Sequence, residues 1–524
     1  MKIIPKPNKF TVNQGFVKLN DTGSVSNEFP AFADGLNDFV EKLAGFRFRE
    51  GKIIRPAISD ALEADEYTLT VSVDGIDVCG GSEQGLFYGL QSLKQLLAAR
   101  FKDGEMILPA CEISDKPRFK YRGFMLDCAR HFFPVDEIKR FIAACALLKL
   151  NVFHWHLIDD QGCRFESKAF PLLTEVGSKR TESRGDGVPV EGFYTQEEMR
   201  DVVAYAKARY IDVVPEIDVP GHATALIASY PRLSCDGKPV DVATRFGILP
   251  NLVCAGKPEV YDFLYALFDE VTDIFPFEYI HIGGDESVKT HWRDCPDCQK
   301  TIADNNLKNE EQLQSLFTAR IISYLADKNR KVITWNEALN SGVLDPRAVT
   351  HYWNDGAKPE RVLKAVNSGR KTIISKFAPF YLDYPHGMHT LRAIYRFNPV
   401  IKGVNPDSTD NIFGVESPLW SEYIPTPHNL ELKAFPRLFA LAETAWTNQS
   451  DKKLREFKAR LKTQVKLLDL LNVAYTPVNK SDPDPVTGLI QIIRFATSHY
   501  SVEDAAAAKA ANTEMKNSRE SGGE

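Results

Sequence analysis

The chain has 524 residues, 44% of them hydrophobic and 26% charged, a balance that excludes intrinsic disorder. It is long enough for one barrel of about 250 residues or more plus a smaller domain. A net charge of −6 and a pI of about 6.1 exclude a general nucleic-acid binder, whose footprint is basic. The start, Met1-Lys2-Ile3-Ile4-Pro5-Lys6-Pro7, has charge but no apolar core and no small-residue cleavage site, so it does not read as a signal peptide. No apolar run reaches the about 18 residues of a transmembrane helix, and no membrane partner is expected. The nine cysteines are odd in number and scattered, which fits free thiols in a reducing compartment. The expected location is therefore cytoplasmic.

The first segment, residues 1–117, reads as a small α+β supporting domain. Residues 67–73 alternate apolar and polar, Asp74-Gly75 turns the chain, and Ile76-Asp77-Val78 continues, which is a hairpin pattern. Leu86, Leu90, Leu93 and Leu97 then fall at helical spacing. From about Arg118 strand and helix alternate. Candidate strands are 123–129, 152–158, 211–217, 279–283, 332–335, 349–353, 372–375 and 412–415. Amphipathic runs such as 135–150, 196–210, 259–274, 311–328 and 359–366 separate them. Short apolar strands are those buried on both faces, and eight such units predict a (β/α)8 TIM barrel over residues 118–478. No Gly-x-Gly-x-x-Gly follows the first strand, and no cofactor is expected. Two helices should follow the last strand, at 432–446 and 452–471. Residues 479–524 read as an extension, with a frayed helix at Ala505–Ala508 and disorder from Asn512.

In such a barrel the chemistry sits just past the C-terminal end of each strand. Those positions hold Arg130-His131, Asp159-Asp160, Glu216 with Asp218 and His222, Asp285-Glu286, Trp335-Asn336-Glu337, Trp353-Asn354-Asp355, Tyr381 with Asp383, and Trp420-Ser421-Glu422. A single Trp is more often core, and a single Asp more often a helix cap. Their coincidence around one rim is what a sugar site needs: aromatic faces for the ring and carboxylates for hydroxyls. Asp285 and Glu286 follow Gly283-Gly284. Neighbouring strand residues point to opposite faces, so both acids share a pocket only if the chain turns there. Paired carboxylates are the acid/base equipment of glycoside hydrolysis. His154 and His156 alternate within one strand, and one of them reads as a satisfied barrel-interior histidine. His291 and Cys295-x-x-Cys298 have a zinc-like spacing. A structural site wants four ligands, however, and no second Cys-x-x-Cys occurs, so the reading is a loop with two free thiols and no metal.

The chain to about residue 475 resembles the β-N-acetylhexosaminidases of glycoside hydrolase family 20. The resemblance rests on Gly85-Leu86-Phe87-Tyr88-Gly89-Leu90-Gln91, Arg130-His131-Phe132, Asp159-Asp160-Gln161-Gly162, Pro215-Glu216-Ile217-Asp218-Val219-Pro220-Gly221-His222, His281-x-Gly-Gly-Asp285-Glu286 and Trp420-Ser421-Glu422. It implies an exo-acting enzyme for terminal N-acetylhexosamines in which the substrate's own 2-acetamido oxygen is the nucleophile. By that likeness Glu286 is the general acid and then the base. Asp285 holds the acetamido N–H, Tyr381 donates to the acetamido oxygen, and Trp335, Trp353 and Trp420 wall the pocket. Arg130 binds O3 and O4, and Glu422 with Asp383 binds O4 and O6. Asp159 and His222 form a polar chain behind Glu286. Two other readings stay open on the residues alone: a retaining glycosidase with Glu337 or Glu416 as nucleophile, and a sugar-binding barrel without catalysis. One departure from the family pattern is Cys163, where a Trp usually follows Asp-Asp-Gln-Gly. Its expected place is a surface loop, where a tryptophan would be tolerated.

Overall fold

The structure is a computed structural model that describes residues 2–354, 359–499, 506 and 509–515. Asp355, placed above at the sixth strand end, lies outside the described residues.

The N-terminal unit is a twisted sheet in which Lys9–Leu19, Glu105–Asp115, Tyr67–Ser72, Gly75–Gly80 and Ile54–Ile58 lie side by side. The expected hairpin is present, with Ser72 opposite Gly75. Alternation puts Tyr67, Leu69 and Val71 in the core. The helices Pro30–Ala44 and Glu83–Arg100 contribute Leu36, Val40, Leu90 and Leu93 to the same core. Ser82 starts the second of these helices by accepting the amides of Gln84 and Gly85.

The described residues from Tyr121 onward form a closed barrel of eight parallel strands. In order they are Tyr121–Asp127, Val152–Asp159, Asp212–Ile217, Tyr279–His281, Lys331–Trp335, Val349–Tyr352, Thr372–Ile374 and Ile412–Ser417. The eighth pairs with the first, Val415 opposite Arg122, which closes the ring. The period of two sorts each strand. Phe153, Trp155 and Leu157 point outward and join the core shared with the surrounding helices. Inward residues stack in layers. Tyr121, Val152, Val214, Tyr279, Ile333, Val349 and Ile373 make an apolar floor. Two residues further along their strands, His154, Glu216, His281, Trp335 and His351 make a second, polar layer.

The two units are locked through buried polar contacts. Trp446, at the end of the helix Arg437–Trp446, is buried in the core of the N-terminal sheet, and its Nε1 donates to Asp115 at 2.9 Å. Arg122 of the first barrel strand donates to the Tyr88 hydroxyl at 2.6 Å.

Three expectations need correction. The run expected as one helix at 432–446 is two helices, Pro427–Ala434 and Arg437–Trp446, because Pro436 has no N–H to continue the first. The run expected at 452–471 is an α-helix, Leu454–Gln464, that tightens into a 3-10 helix at Val465–Leu471. The disorder expected from Asn512 does not begin there, since residues 512–515 are helical. Pro485–His499 is helical, with Phe495 packed against Tyr384 and Tyr423. Residues 509–515 are helical too, and Met515 is buried. An apolar contact outweighs a polar composition there. Most of the alanine run and residues 516–524 lie outside the described residues.

Candidate active site

The polar layer is organised by two carboxylates. Glu216 sits among His154 Nε2 at 3.1 Å, His281 Nδ1 at 2.8 Å, Trp335 Nε1 at 2.9 Å and His156 Nδ1. Burial would raise its carboxyl, but His281, His156 and His154 outweigh that and hold it well below the usual carboxylate range. Glu416 accepts the Tyr121 hydroxyl at 2.6 Å and lies 2.9 Å from His154 Nδ1. It is fully buried beneath the rim. His156 is thus a satisfied interior histidine, with both ring nitrogens bonded to carboxylates, whereas His154 bonds Glu416 through Nδ1 and its Nε2 only faces Glu216. Burial opposes a proton on His154, yet Glu416 and Glu216 raise it to about 9.

Above this layer His156 continues the chain upward, with Nε2 2.8 Å from Asp159 Oδ2. Asp159 Oδ1 lies 3.3 Å from His222 Nδ1, and Asp160 Oδ2 lies at the same distance. The other face of the His222 ring, Nε2, lies 3.7 Å from Glu286 Oε2 and 3.9 Å from Asp285 Oδ2. Glu216, His156, Asp159, His222 and Glu286 therefore form one continuous relay of contacts. Burial lowers His222, but Asp159 foremost, with Asp160 and Glu286, raises it well above the ordinary histidine range.

The two adjacent acids share the pocket because the chain does turn. Gly283 and Gly284 have φ of 64° and 99°, and Glu286 itself has φ of 43°. A Cβ at Gly283 would stand 1.6 Å from Asp218 Oδ1, so only glycine fits. That carboxylate accepts the Gly284 amide at 3.0 Å and pins the turn. A left-handed glutamate is uncommon, and such strain gathers at functional sites. Asp285 is buried and its carboxyl is pushed up to about 6, by burial first, with His222 pulling the other way and Glu286 adding to the rise.

Around the acids stands the aromatic cup. Trp353 lies over Tyr381 at 5.9 Å with ring planes 26° apart, and Tyr381 lies 6.4 Å from Trp420. Trp420 stands 5.9 Å from Trp335. Trp335 is only 1% exposed and stacks on His351 at 4.3 Å, so it lies under the cup, where Trp353 and Trp420 are partly open. Glu337 holds the Trp353 indole at 2.8 Å.

On the other side Arg130 donates to Asp159 Oδ2 at 2.8 Å and to Gln161 Oε1 at 2.9 Å. Its guanidinium lies 5.0 Å over the Trp420 ring. Asp383 is buried and pushed up to about 8, by burial first, with Glu422 adding to the rise. Glu422 is raised as well, by burial, against the pull of Arg130.

Arg130, Asp159, His222, Asp285, Glu286, Trp353, Tyr381, Asp383, Trp420 and Glu422 thus gather at the C-terminal mouth of the barrel, whereas Trp335, expected as a pocket wall, lies one layer below, buried against His351. Sequence reasoning missed Asp127, whose Oδ1 accepts the Ala129 and Arg130 amides and whose Oδ2 accepts the Ser421 amide at 2.9 Å, tying the first and eighth loops together. It also gave Glu216 no task. Both are inward residues at strand ends, and counting in twos from the apolar floor would have found them. Cys163 is a correction. It is fully buried, paired with Ile158 in a short antiparallel ladder, and burial pushes its thiol up to about 12. It belongs to the core, not to a surface loop.

Family models match both units: "Glycosyl hydrolase family 20, catalytic domain" over residues 119–449 and "Glycosyl hydrolase family 20, domain 2" over residues 1–116. The chain belongs to glycosyl hydrolase family 20. A beta-hexosaminidase of Porphyromonas gingivalis is 37% identical over 506 residues, covering 91% of this chain and 64% of that protein. One of Akkermansia muciniphila is 37% identical over 411 residues, covering 76% and 83%. This family 20 chain thus spans a little under two thirds of the length of the Porphyromonas relative. Among solved structures, a family 20 exo-β-N-acetylglucosaminidase of Vibrio harveyi, in complex with N-acetylglucosamine, superposes with a TM-score of 0.83. It is 30% identical and covers 91% of this chain and 78% of its own. A β-N-acetylhexosaminidase of Bacteroides fragilis gives 0.80 at 33% identity, covering 92% and 98%.

Proposed function

We propose that this family 20 chain is an exo-acting β-N-acetylhexosaminidase that releases terminal β-linked N-acetylhexosamine with retention of configuration. The observation that carries this is the pair Asp285-Glu286 on the glycine turn, both facing one imidazole beside a cup of Trp353, Tyr381 and Trp420. The buried Asp285 Oδ1 and Asp383 Oδ1 have no hydrogen-bond partner among the described residues. A buried carboxylate oxygen without a partner is costly unless a bound molecule donates to it. An acetamido N–H suits the first and a sugar hydroxyl the second.

The acetamido oxygen attacks the anomeric carbon while the bond to the leaving oxygen breaks. Glu286 gives that oxygen its proton. Asp285 aligns the acetamido N–H and stabilises the positive charge of the closing oxazolinium ring, and Tyr381 donates to the acetamido oxygen. Water then attacks the anomeric carbon, Glu286 takes its proton, and the acetamide is restored. Tethered attack of this kind is worth about 7–11 kcal/mol of barrier. Arg130, Glu422 and Asp383 hold the hydroxyls at the closed end of the pocket, and Asp159 and His222 keep Glu286 oriented.

A nucleophilic Glu416 is disfavoured because it lies buried under the rim, bonded to Tyr121 and His154. Glu337 is engaged with Trp353. Cysteines such as Cys128, Cys145 and Cys163, buried as free thiols, support a reducing, cytoplasmic setting. The test compares kcat/KM for an aryl β-N-acetylglucosaminide with that for the aryl β-glucoside. The glucoside should be nearly inert, since it brings no nucleophile. Values within about tenfold, a difference of only about 1.4 kcal/mol in activation free energy from free enzyme and substrate, would overturn the substrate-assisted reading.

A further inference from the structure

Cys295 and Cys298 are not two thiols in a loop. Two cysteines from the preceding barrel loop, Cys235 and Cys254, meet them, and one sulfur from each of the four lies within 4.8 Å of the others. Cys254 Sγ stands 3.7 Å from Cys295 Sγ and 3.6 Å from Cys298 Sγ, and Cys235 Sγ stands 4.0 Å from Cys298 Sγ. Four thiolates around one tetrahedral zinc at about 2.3 Å have sulfur–sulfur edges of about 3.8 Å. We propose that Cys235, Cys254, Cys295 and Cys298 bind a structural zinc ion that clamps the loops after the third and fourth barrel strands.

The surroundings are built for such a cluster. Cys254, Cys295 and Cys298 are buried and Cys235 is partly so. Cys295 caps the helix Pro296–Asp304 and Cys298 is its third residue, so the positive end of the helix faces the sulfurs. The two loops are held in register around them. The Cys254 amide donates to Leu233 O at 2.8 Å, Ser234 bridges to Val253, and Trp292 Nε1 donates to Val253 O at 2.9 Å. A Cβ at Gly256 would stand 2.4 Å from the Cys298 amide nitrogen, so glycine is required for the approach. His291 is exposed and stands outside the set.

Four sulfur ligands fill a tetrahedron and leave no open position, so the ion is structural and not catalytic. Its place has a consequence for the barrel mouth. The clamped loops begin with His222 and with Asp285-Glu286, and the metal fixes their far ends.

The test is metal analysis of the full chain, expressed with zinc in the medium and purified under reducing conditions without chelator. The expected result is about one zinc per chain, released by a thiol-blocking mercurial in step with the reaction of four thiols. Cys254→Ser and Cys298→Ser should each lose the metal. Should these variants fail to fold, the wild-type protein exchanged with cobalt(II) should show the sulfur-to-metal charge-transfer and tetrahedral ligand-field absorption of a four-sulfur site. Zinc far below one per chain, both as purified and after reconstitution, would overturn the proposal. So would iron in its place, a disulfide among the four in freshly reduced protein, or zinc retained in both serine variants.

Discussion

Replacing Asp285 with asparagine should stabilise the protein at neutral pH while nearly abolishing turnover. The buried carboxyl is raised from its ordinary 3.8 to about 6, chiefly by burial. In the unfolded chain it titrates normally. Below about pH 4 both states carry the proton and the group contributes nothing. Between about pH 4 and 6 the unfolded state ionises first, so folding is progressively disfavoured as the pH rises. Above about pH 6 the full penalty stands, a shift of about 2 units or about 3 kcal/mol. Asparagine carries no charge to bury. Its melting temperature should therefore exceed that of the wild type by roughly 3 °C at pH 7, and the gap should close toward pH 4. Turnover should fall about 10²–10³-fold, because the oxazolinium loses its facing anion. The wild type should for the same reason lose kcat as the pH drops through about 6 and Asp285 takes up its proton. The assay is a melting series of both proteins from pH 5 to 8, beside kcat on an aryl β-N-acetylglucosaminide. An unchanged or lower melting temperature at pH 7, or near-normal turnover, would refute the reasoning.

Glu286→Gln should cost about 10²–10⁴-fold on an unactivated disaccharide and far less on a nitrophenyl glycoside, whose leaving group needs no proton. Equal losses on both would remove Glu286 as the acid. Glu216→Gln should destabilise by about 3–5 kcal/mol, since it strips the charge that His154, His156, His281 and Trp335 surround, and thermal unfolding would read this directly. An unchanged melting temperature would show that the layer does not depend on the charge. Cys163→Trp should cost at least about 1–3 kcal/mol, because an indole cannot enter a fully buried thiol's place without moving Ile158 and Phe165. Wild-type stability in that variant would mean the loop shifts freely.

The barrel, its eight strands and nearly all of the rim were legible in the chain, because burial on both faces forces short apolar strands and the residue after each must be polar. The paired acids were legible as a condition: Asp285 and Glu286 could cooperate only at a sharp turn, and the two glycines marked where it falls. Local signals could not reveal what depends on separate strands meeting. Glu216 became a hub only when the second and fourth strands paired on either side of the third and set their histidines against it. Trp446 left the barrel for the N-terminal core because Asp115, 331 residues away, accepts its indole. Cys163 looked like a loop residue because its neighbours are polar, and its burial is set by the strand folding back on Ile158. The four cysteines are the sharpest case. Spacing displays Cys295 and Cys298 as a pair, whereas Cys235 and Cys254 carry no common motif, and only the packing of two barrel loops against each other makes them neighbours.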